Sequence, residues 1–219
     1  VTRLSPERAE TFIRANTAVL LPSHVPEIPL HLADEAHELW LKTQEELDAF
    51  GLAPPFWAFA WAGGQALARH VLDEPGLVAG RSVLDFASGS GLVAIAAAKS
   101  GAGPVRAADI DPFCEAAIAL NAALNGVTIA FEGADLVGTP VAEEVVLAGD
   151  IFFDKAIADA ITPWFDTLAR AGRTILVGDP GRAYLPRHRL ERLSTFEVPV
   201  TRALEDAEVK RASVWRWLA

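Results

Sequence analysis

The sequence predicts an α/β fold: an open, mostly parallel sheet with helices on both faces, an antiparallel strand pair at its C-terminal end and a helical cap before it. Three observations carry this. The run Ser82-Val83-Leu84-Asp85-Phe86-Ala87-Ser88-Gly89-Ser90-Gly91, followed by Leu92-Val93-Ala94-Ile95-Ala96-Ala97-Ala98, reads as a strand, a tight glycine turn and a buried helix. Strand-like and helix-like stretches alternate from there on, and three of the strands end in an acid: Asp85, Asp109 and Asp150. The last two strand-like runs, Phe196–Val200 and Ala212–Leu218, close the chain as a hairpin.

The 219 residues are 51% hydrophobic and 22% charged, the balance of a globular chain long enough to bury a core without disulfide or metal staples. They read as one domain, an N-terminal cap over residues 1–53 and a core over 54–219. A net charge of -10 argues against non-specific binding to nucleic acid or anionic membrane and favours a basic or lysine-bearing partner. Cys114, the one cysteine, falls on an apolar helix and reads as packing; His24, His31, His37, His70 and His188 lack zinc-ligand spacing, so no metal is expected. No run approaches the roughly 18 apolar residues of a membrane span. The opening residues lack a signal-peptide core, and a cytoplasmic protein is the expectation.

In chain order, Ser5-Pro6-Glu7 starts a helix whose apolar positions Phe12, Ile13, Ala15 and Val19 run on toward Pro22. Leu20 to Pro29 is a proline-rich loop, Leu30–Ala33 a short strand, and Ala36–Phe50 a helix closed by Gly51. Pro54-Pro55-Phe56-Trp57-Ala58-Phe59-Ala60-Trp61-Ala62-Gly63-Gly64 sets aromatics beside a double glycine, and Gln65–Leu72 continues as a helix. Pro104–Asp109 is the second strand of the sheet, and Asp111-Pro112 caps a helix over Phe113–Asn125. Val127–Phe131 is the third strand, Val145–Asp150 the fourth, Ala156–Ala171 a helix, and Thr174 to Arg182 the fifth strand with its rim loop.

In such a sheet, ligands collect at the carboxyl ends of the strands, so Asp85, Asp109 and Asp150 are expected on one rim. Gly89-Ser90-Gly91-Leu92-Val93-Ala94 satisfies the dinucleotide pattern G-x-G-x-x-A, which leaves a nucleotide-dependent oxidoreductase open. Asp85 weighs against it. A carboxylate there repels a pyrophosphate but suits a ligand bearing an ammonium and a sulfonium, as S-adenosylmethionine does. The expected cofactor contacts are Asp85, Ser88, Gly89 and Gly91 at the turn, and Asp109 with Ile110 at the ribose. Asp135 is expected at the adenine amino group, and Trp61, Gly63 and Gly64 beside the sulfonium, since aromatic faces attract such cations. Alternating strands and helices ending in a hairpin fit the seven-strand class I methyltransferase sheet, a Rossmann-like fold, better than a dehydrogenase.

Pro55-Phe56-Trp57 with Trp61-Ala62-Gly63-Gly64-Gln65-Ala66-Leu67, Ser82-Val83-Leu84-Asp85, Asp109-Ile110-Asp111-Pro112, Gly149-Asp150-Ile151-Phe152-Phe153-Asp154 and Gly178-Asp179-Pro180-Gly181-Arg182 are the distinctive segments. Together they resemble the electron transfer flavoprotein beta-subunit lysine methyltransferases, seven-strand enzymes that carry a D-x-x-Y/F motif. The likeness runs from about Leu30 to the C-terminus, with Ala62 where the family commonly has proline and Phe153 where the animal enzymes have tyrosine. It implies a monomeric protein-lysine methyltransferase that turns S-adenosylmethionine into S-adenosylhomocysteine, with the flavoprotein beta subunit as partner and no nucleic acid or membrane. It also implies catalytic roles for Asp150, which orients the amine, and for Trp57 and Phe153 as channel walls. A ribosomal protein or a small amine is the alternative substrate.

Overall fold

The computed structural model describes residues 5–33, 54–200 and 207–218. The expected helix Ala36–Phe50 and its stop at Gly51 lie outside the described residues. Helix α1 (Pro6–Asn16) begins under Ser5, whose hydroxyl accepts from the Arg8 amide. It stops short of Val19, because Thr17 is extended and β1 (Ala18–Leu20) pairs antiparallel with β2 (Leu30–Leu32). A β-branched valine is as content there as in a helix. This N-terminal segment joins the main core: Ile13, Ile28 and Leu30 are buried in the same cluster as the sheet residues. The His31 amide donates to Asn121 Oδ1 at 2.7 Å, and the rings of Phe12 and Phe113 lie 5.2 Å apart.

The main sheet has seven strands: β3 (Val83–Phe86), β4 (Val105–Ala108), β5 (Ala130–Glu132), β6 (Val145–Gly149), β7 (Thr174–Asp179), β8 (Leu190–Pro199) and β9 (Val209–Trp217). Their spatial order is β5-β4-β3-β6-β7-β9-β8, and all run in one direction except β9, which is antiparallel to both of its neighbours β7 and β8. The chain builds outward from β3 to β5, then returns to β6 on the other side of β3, which opens a crevice at the carboxyl ends of β3 and β6. Strand residues alternate between two cores, as a period of two requires. Val83, Val145, Leu147 and Leu176 face the layer that contains α2 (Ala62–Asp73), α3 (Leu92–Lys99) and α4 (Cys114–Leu124). Leu84, Val146, Ala148, Ile175 and Val177 face α5 (Lys155–Arg170) and its aromatics Trp164 and Phe165.

Several boundaries differ from the sequence expectation. Helix α2 begins at Ala62 and takes both glycines into its first turn, because that turn lies directly on the sheet. Asp111 stands outside α4, its carboxylate accepting from the Phe113 amide in a turn before the helix. Val127 precedes β5, which starts at Ala130. Strand β8 starts at Leu190, earlier than its apolar core suggests, because Glu191 and Arg192 occupy an edge strand where exposed charge blocks stray pairing. No helix among the described residues is long and apolar enough to cross a membrane.

Candidate functional site

A cavity of about 720 Å³ lies at the switch point, bordered by the loops after β3, β4, β5 and β6 and by the aromatic stretch before α2. Asp85 ends its floor, 1% exposed, with one carboxylate oxygen accepting from Ser88 Oγ at 2.5 Å and from the Ala94 amide at 2.9 Å. These bonds tie strand, turn and helix together. Burial pushes the Asp85 carboxyl up to about 7 despite those two donors, and the nearby charge of Asp109 adds to the rise. A cation in this cavity would relieve that cost.

Asp109 is pinned on both oxygens, accepting from the Gly89 amide at 2.9 Å and from the Asp111 amide at 3.0 Å. Each oxygen keeps a lone pair for a vicinal diol. Ile110 projects beside it, 72% exposed although apolar, and Leu136 and Val137 border the same end. Asp135 borders the cavity there too, with Oδ1 accepting from the Val137 amide. Burial also pushes Asp111 up to about 6 and raises the Cys114 thiol well above its ordinary value, which keeps the thiol neutral.

At the opposite end stands Asp150, one residue beyond β6, at a φ of 61°. Among the described residues only Ala87, also on this rim, is another non-glycine residue at positive φ. Such backbone strain concentrates where a side chain must be aimed. Asp150 Oδ2 accepts from the Gly63 amide at 3.0 Å and Oδ1 from Arg182 Nε at 2.5 Å. The aromatic wall around it comprises Phe56, Trp61 and Phe153, with Phe56 and Phe153 5.5 Å apart and Phe56 and Trp61 5.8 Å apart.

The structure thus brings Asp85, Ser88, Gly89, Asp109, Ile110, Asp135, Trp61, Gly64, Asp150 and Phe153 around one cavity. Three expected residues are set deeper in the fold. Trp57 borders the cavity from a buried position, 2% exposed and stacked on Phe113 with centroids 5.5 Å apart, while Phe56 presents the more open face. Gly63 does not border the cavity; a Cβ there would meet the Gly178 carbonyl oxygen at 2.4 Å, so its role is close packing and donation to Asp150. Gly91 turns the chain into α3 at a φ of 84°, against Ile118, and also lies behind the cavity.

The sequence puts Asp179 and Arg182 in the rim loop after the fifth strand but gives neither a role at the site. Asp179 Oδ1 accepts from the amides of Gly181 and Arg182, at 2.6 and 2.8 Å, and this turn carries the Arg182 side chain back to Asp150. Burial pushes Asp179 up to about 6, with the Asp150 charge adding to the rise. The Gly-Asp-Pro-Gly-Arg sequence signals a turn, but only adjacency of β6 and β7 shows where the arginine goes.

The raised Asp85 carboxyl has a consequence for stability. The folded protein binds a proton that the unfolded chain releases between about pH 4 and pH 7, so this group favours folding at low pH and that contribution is lost as pH rises through about 7. Asp85→Asn is therefore expected to gain stability relative to the parent between pH 5 and pH 8, measured as the difference in unfolding free energy without cofactor. A constant difference across that range would refute the buried charge.

Residues 66–178 match the family model "Ribosomal protein L11 methyltransferase (PrmA)". The chain is 37% identical over 225 residues to the electron transfer flavoprotein beta subunit lysine methyltransferase of Danio rerio, covering 97% of this chain and 84% of that protein. Among solved structures it is similar to the ribosomal protein L11 methylase of Lactobacillus delbrueckii subsp. bulgaricus, with TM-score 0.53, 23% identity and coverage of 77% and 83%. It is also similar to the magnesium protoporphyrin IX methyltransferase of Synechocystis with bound SAM, with TM-score 0.52, 18% identity and coverage of 71% and 80%.

Proposed function

Because the chain belongs to the electron transfer flavoprotein beta subunit lysine methyltransferase family, we propose that it methylates protein lysine side chains, its substrate being the beta subunit of electron transfer flavoprotein. It is an S-adenosylmethionine-dependent methyltransferase. The observation that carries the substrate reading is the two-ended cavity: a diol-binding acid with an apolar shelf at one end, and a caged carboxylate among aromatic faces at the other. The L11 family model stops at residue 178, before the Asp179–Arg182 turn, and starts at 66, after the aromatic stretch. Its span therefore takes in the cofactor turn together with Asp150 and Phe153, and leaves out Phe56, Trp61 and Arg182 of the receiving end.

The residues fit the cofactor. Asp109 and Ile110 would hold the ribose and adenine, Asp135 the adenine amino group, and Asp85 with the Ser88–Gly89 turn, Gly64 and Trp61 the methionine end. When bound, S-adenosylmethionine supplies a methyl group on positively charged sulfur, open to direct displacement by an amine. The chain must deliver that amine neutral and in line, and a free lysine is protonated at pH 7, with a pKa near 10.4. Phe56, Trp61 and Phe153 strip water from it, and Asp150 accepts a hydrogen bond from its N–H to fix the direction of the lone pair. Phe153 supplies this wall without a hydroxyl. The net charge of -10 suits a lysine-bearing protein partner, met by the enzyme as a monomer in the cytoplasm.

Incubation of the purified protein with methyl-labelled cofactor and either purified flavoprotein or a cell lysate tests this. Label on a lysine of the flavoprotein beta subunit is the expected result. Label on ribosomal protein L11 or in the small-molecule fraction would move the substrate elsewhere, and tight cofactor binding with no label would remove the catalytic role.

A further inference from the structure

A carboxylate beside the target amine creates a difficulty. Asp150 can orient the nitrogen, but a negative charge within about 4–6 Å favours the ammonium form, which has no lone pair to attack with. The structure holds a counter-charge at that position. Arg182 Nε lies 2.5 Å from Asp150 Oδ1, and the arginine is delivered by a turn whose amides are fastened to Asp179. Its guanidinium also lies 6.0 Å from the centroid of the Trp61 ring, so two walls of the cavity fix its place. The Asp150 carboxylate still has unused lone pairs, since Gly63 N and Arg182 Nε occupy one direction on each oxygen.

We propose that Arg182 is a positioning residue that neutralises Asp150, so that this carboxylate can direct the lysine amine without holding it protonated. The assignment rests on the lysine-methylation reading of the same cavity and adds the reason the ammonium can release its proton to water beside a carboxylate. Among the described residues, the other charged or titratable groups around the pair are Asp179 at the end of β7 and, along the cavity, Asp85, Asp109, Asp111, Cys114 and Asp135. Asp85, Asp111 and Asp179 titrate at about 7, 6 and 6, whereas the limb due to the amine lies above them.

The test is the pH profile of kcat at saturating cofactor and flavoprotein substrate, for the parent, Arg182→Gln and Arg182→Lys, with cofactor affinity and thermal unfolding recorded for each. In Arg182→Gln the limb on which activity rises with pH is expected about one pH unit or more higher, a roughly tenfold loss of kcat on the acidic side that alkaline pH recovers. Arg182→Lys, which keeps the charge, is expected to hold the limb at the parent position even if kcat falls. A limb that stays in place in Arg182→Gln overturns the assignment, and so does higher activity at neutral pH, which would make the arginine a competitor for the substrate cation. A merely structural role lowers kcat at every pH alike and is excluded by the same curve. If the parent binds cofactor but labels no lysine at any pH, the lysine reading itself fails, which is a different result from an unmoved limb.

Discussion

Asp150→Asn is expected to lower kcat for methyl transfer about 100-fold while leaving cofactor affinity within a few-fold. The side chain meets two donors, the Gly63 amide and Arg182 Nε, and only a carboxylate accepts from both while retaining capacity for a third. An asparagine amide has one acceptor oxygen, so either orientation turns its NH₂ toward a donor, leaves one buried hydrogen bond unmade and rotates the group that should receive the amine. The cost to folding is about 1–3 kcal/mol for the unsatisfied donor. Asparagine tolerates the positive φ of this residue, whereas alanine adds backbone strain and leaves Arg182 without its carboxylate, so Asp150→Ala abolishes transfer at a greater cost in stability. Steady-state kinetics, calorimetric cofactor titration and urea unfolding separate the contributions. Parallel losses of cofactor affinity and kcat would make Asp150 part of the cofactor scaffold.

The part of this site legible in the sequence is the part made by local chain geometry. Apolar strands ending in Asp85, Asp109 and Asp150 place their acids on one rim because parallel strands share a direction, and Gly89 marks the turn that lets backbone approach a ligand. Side-chain facing is a different matter. Phe56 and Trp57 are neighbours in sequence and both border the cavity, and the 3-10 turn Phe56–Ala58 decides that one stands open to solvent and the other is buried against Phe113. Gly63 and Gly64 look alike in the sequence, yet one is pressed on the sheet and the other borders the cavity. Arg182 could be found only through a contact 32 residues away that depends on β6 and β7 lying side by side. The early start of β8 was hidden for a related reason, since the charges of Glu191 and Arg192 suit an edge strand only once its place in the sheet is known.

Gly178→Ala is expected to be the most damaging change in the core. A Cβ at this position would stand 2.1 Å from the Gly63 carbonyl oxygen and 2.7 Å from Leu67 Cβ, so the first turn of α2 would have to lift off β7. Neither contact is the end of a flexible side chain, and overpacking of this kind costs about 3 kcal/mol. For a chain of this size that lowers the melting temperature by roughly 6–12 °C. Gly64→Ala is the control: no atom lies within 4 Å of its added Cβ, and alanine is the better helix former, so its folding stability is expected to hold or rise. The strand glycine and the helix glycine thereby separate packing from cavity volume. Lifting α2 also withdraws the Gly63 amide from Asp150 Oδ2 and shifts Trp61, the residue that caps this helix and borders the cavity. Gly178→Ala should therefore lose methyl transfer at temperatures where it is still folded, and thermal melts alongside activity below the transition would test it. Full activity with a lowered melting temperature would show that the close approach of helix and sheet serves stability alone and that Asp150 keeps its aim without the Gly63 amide.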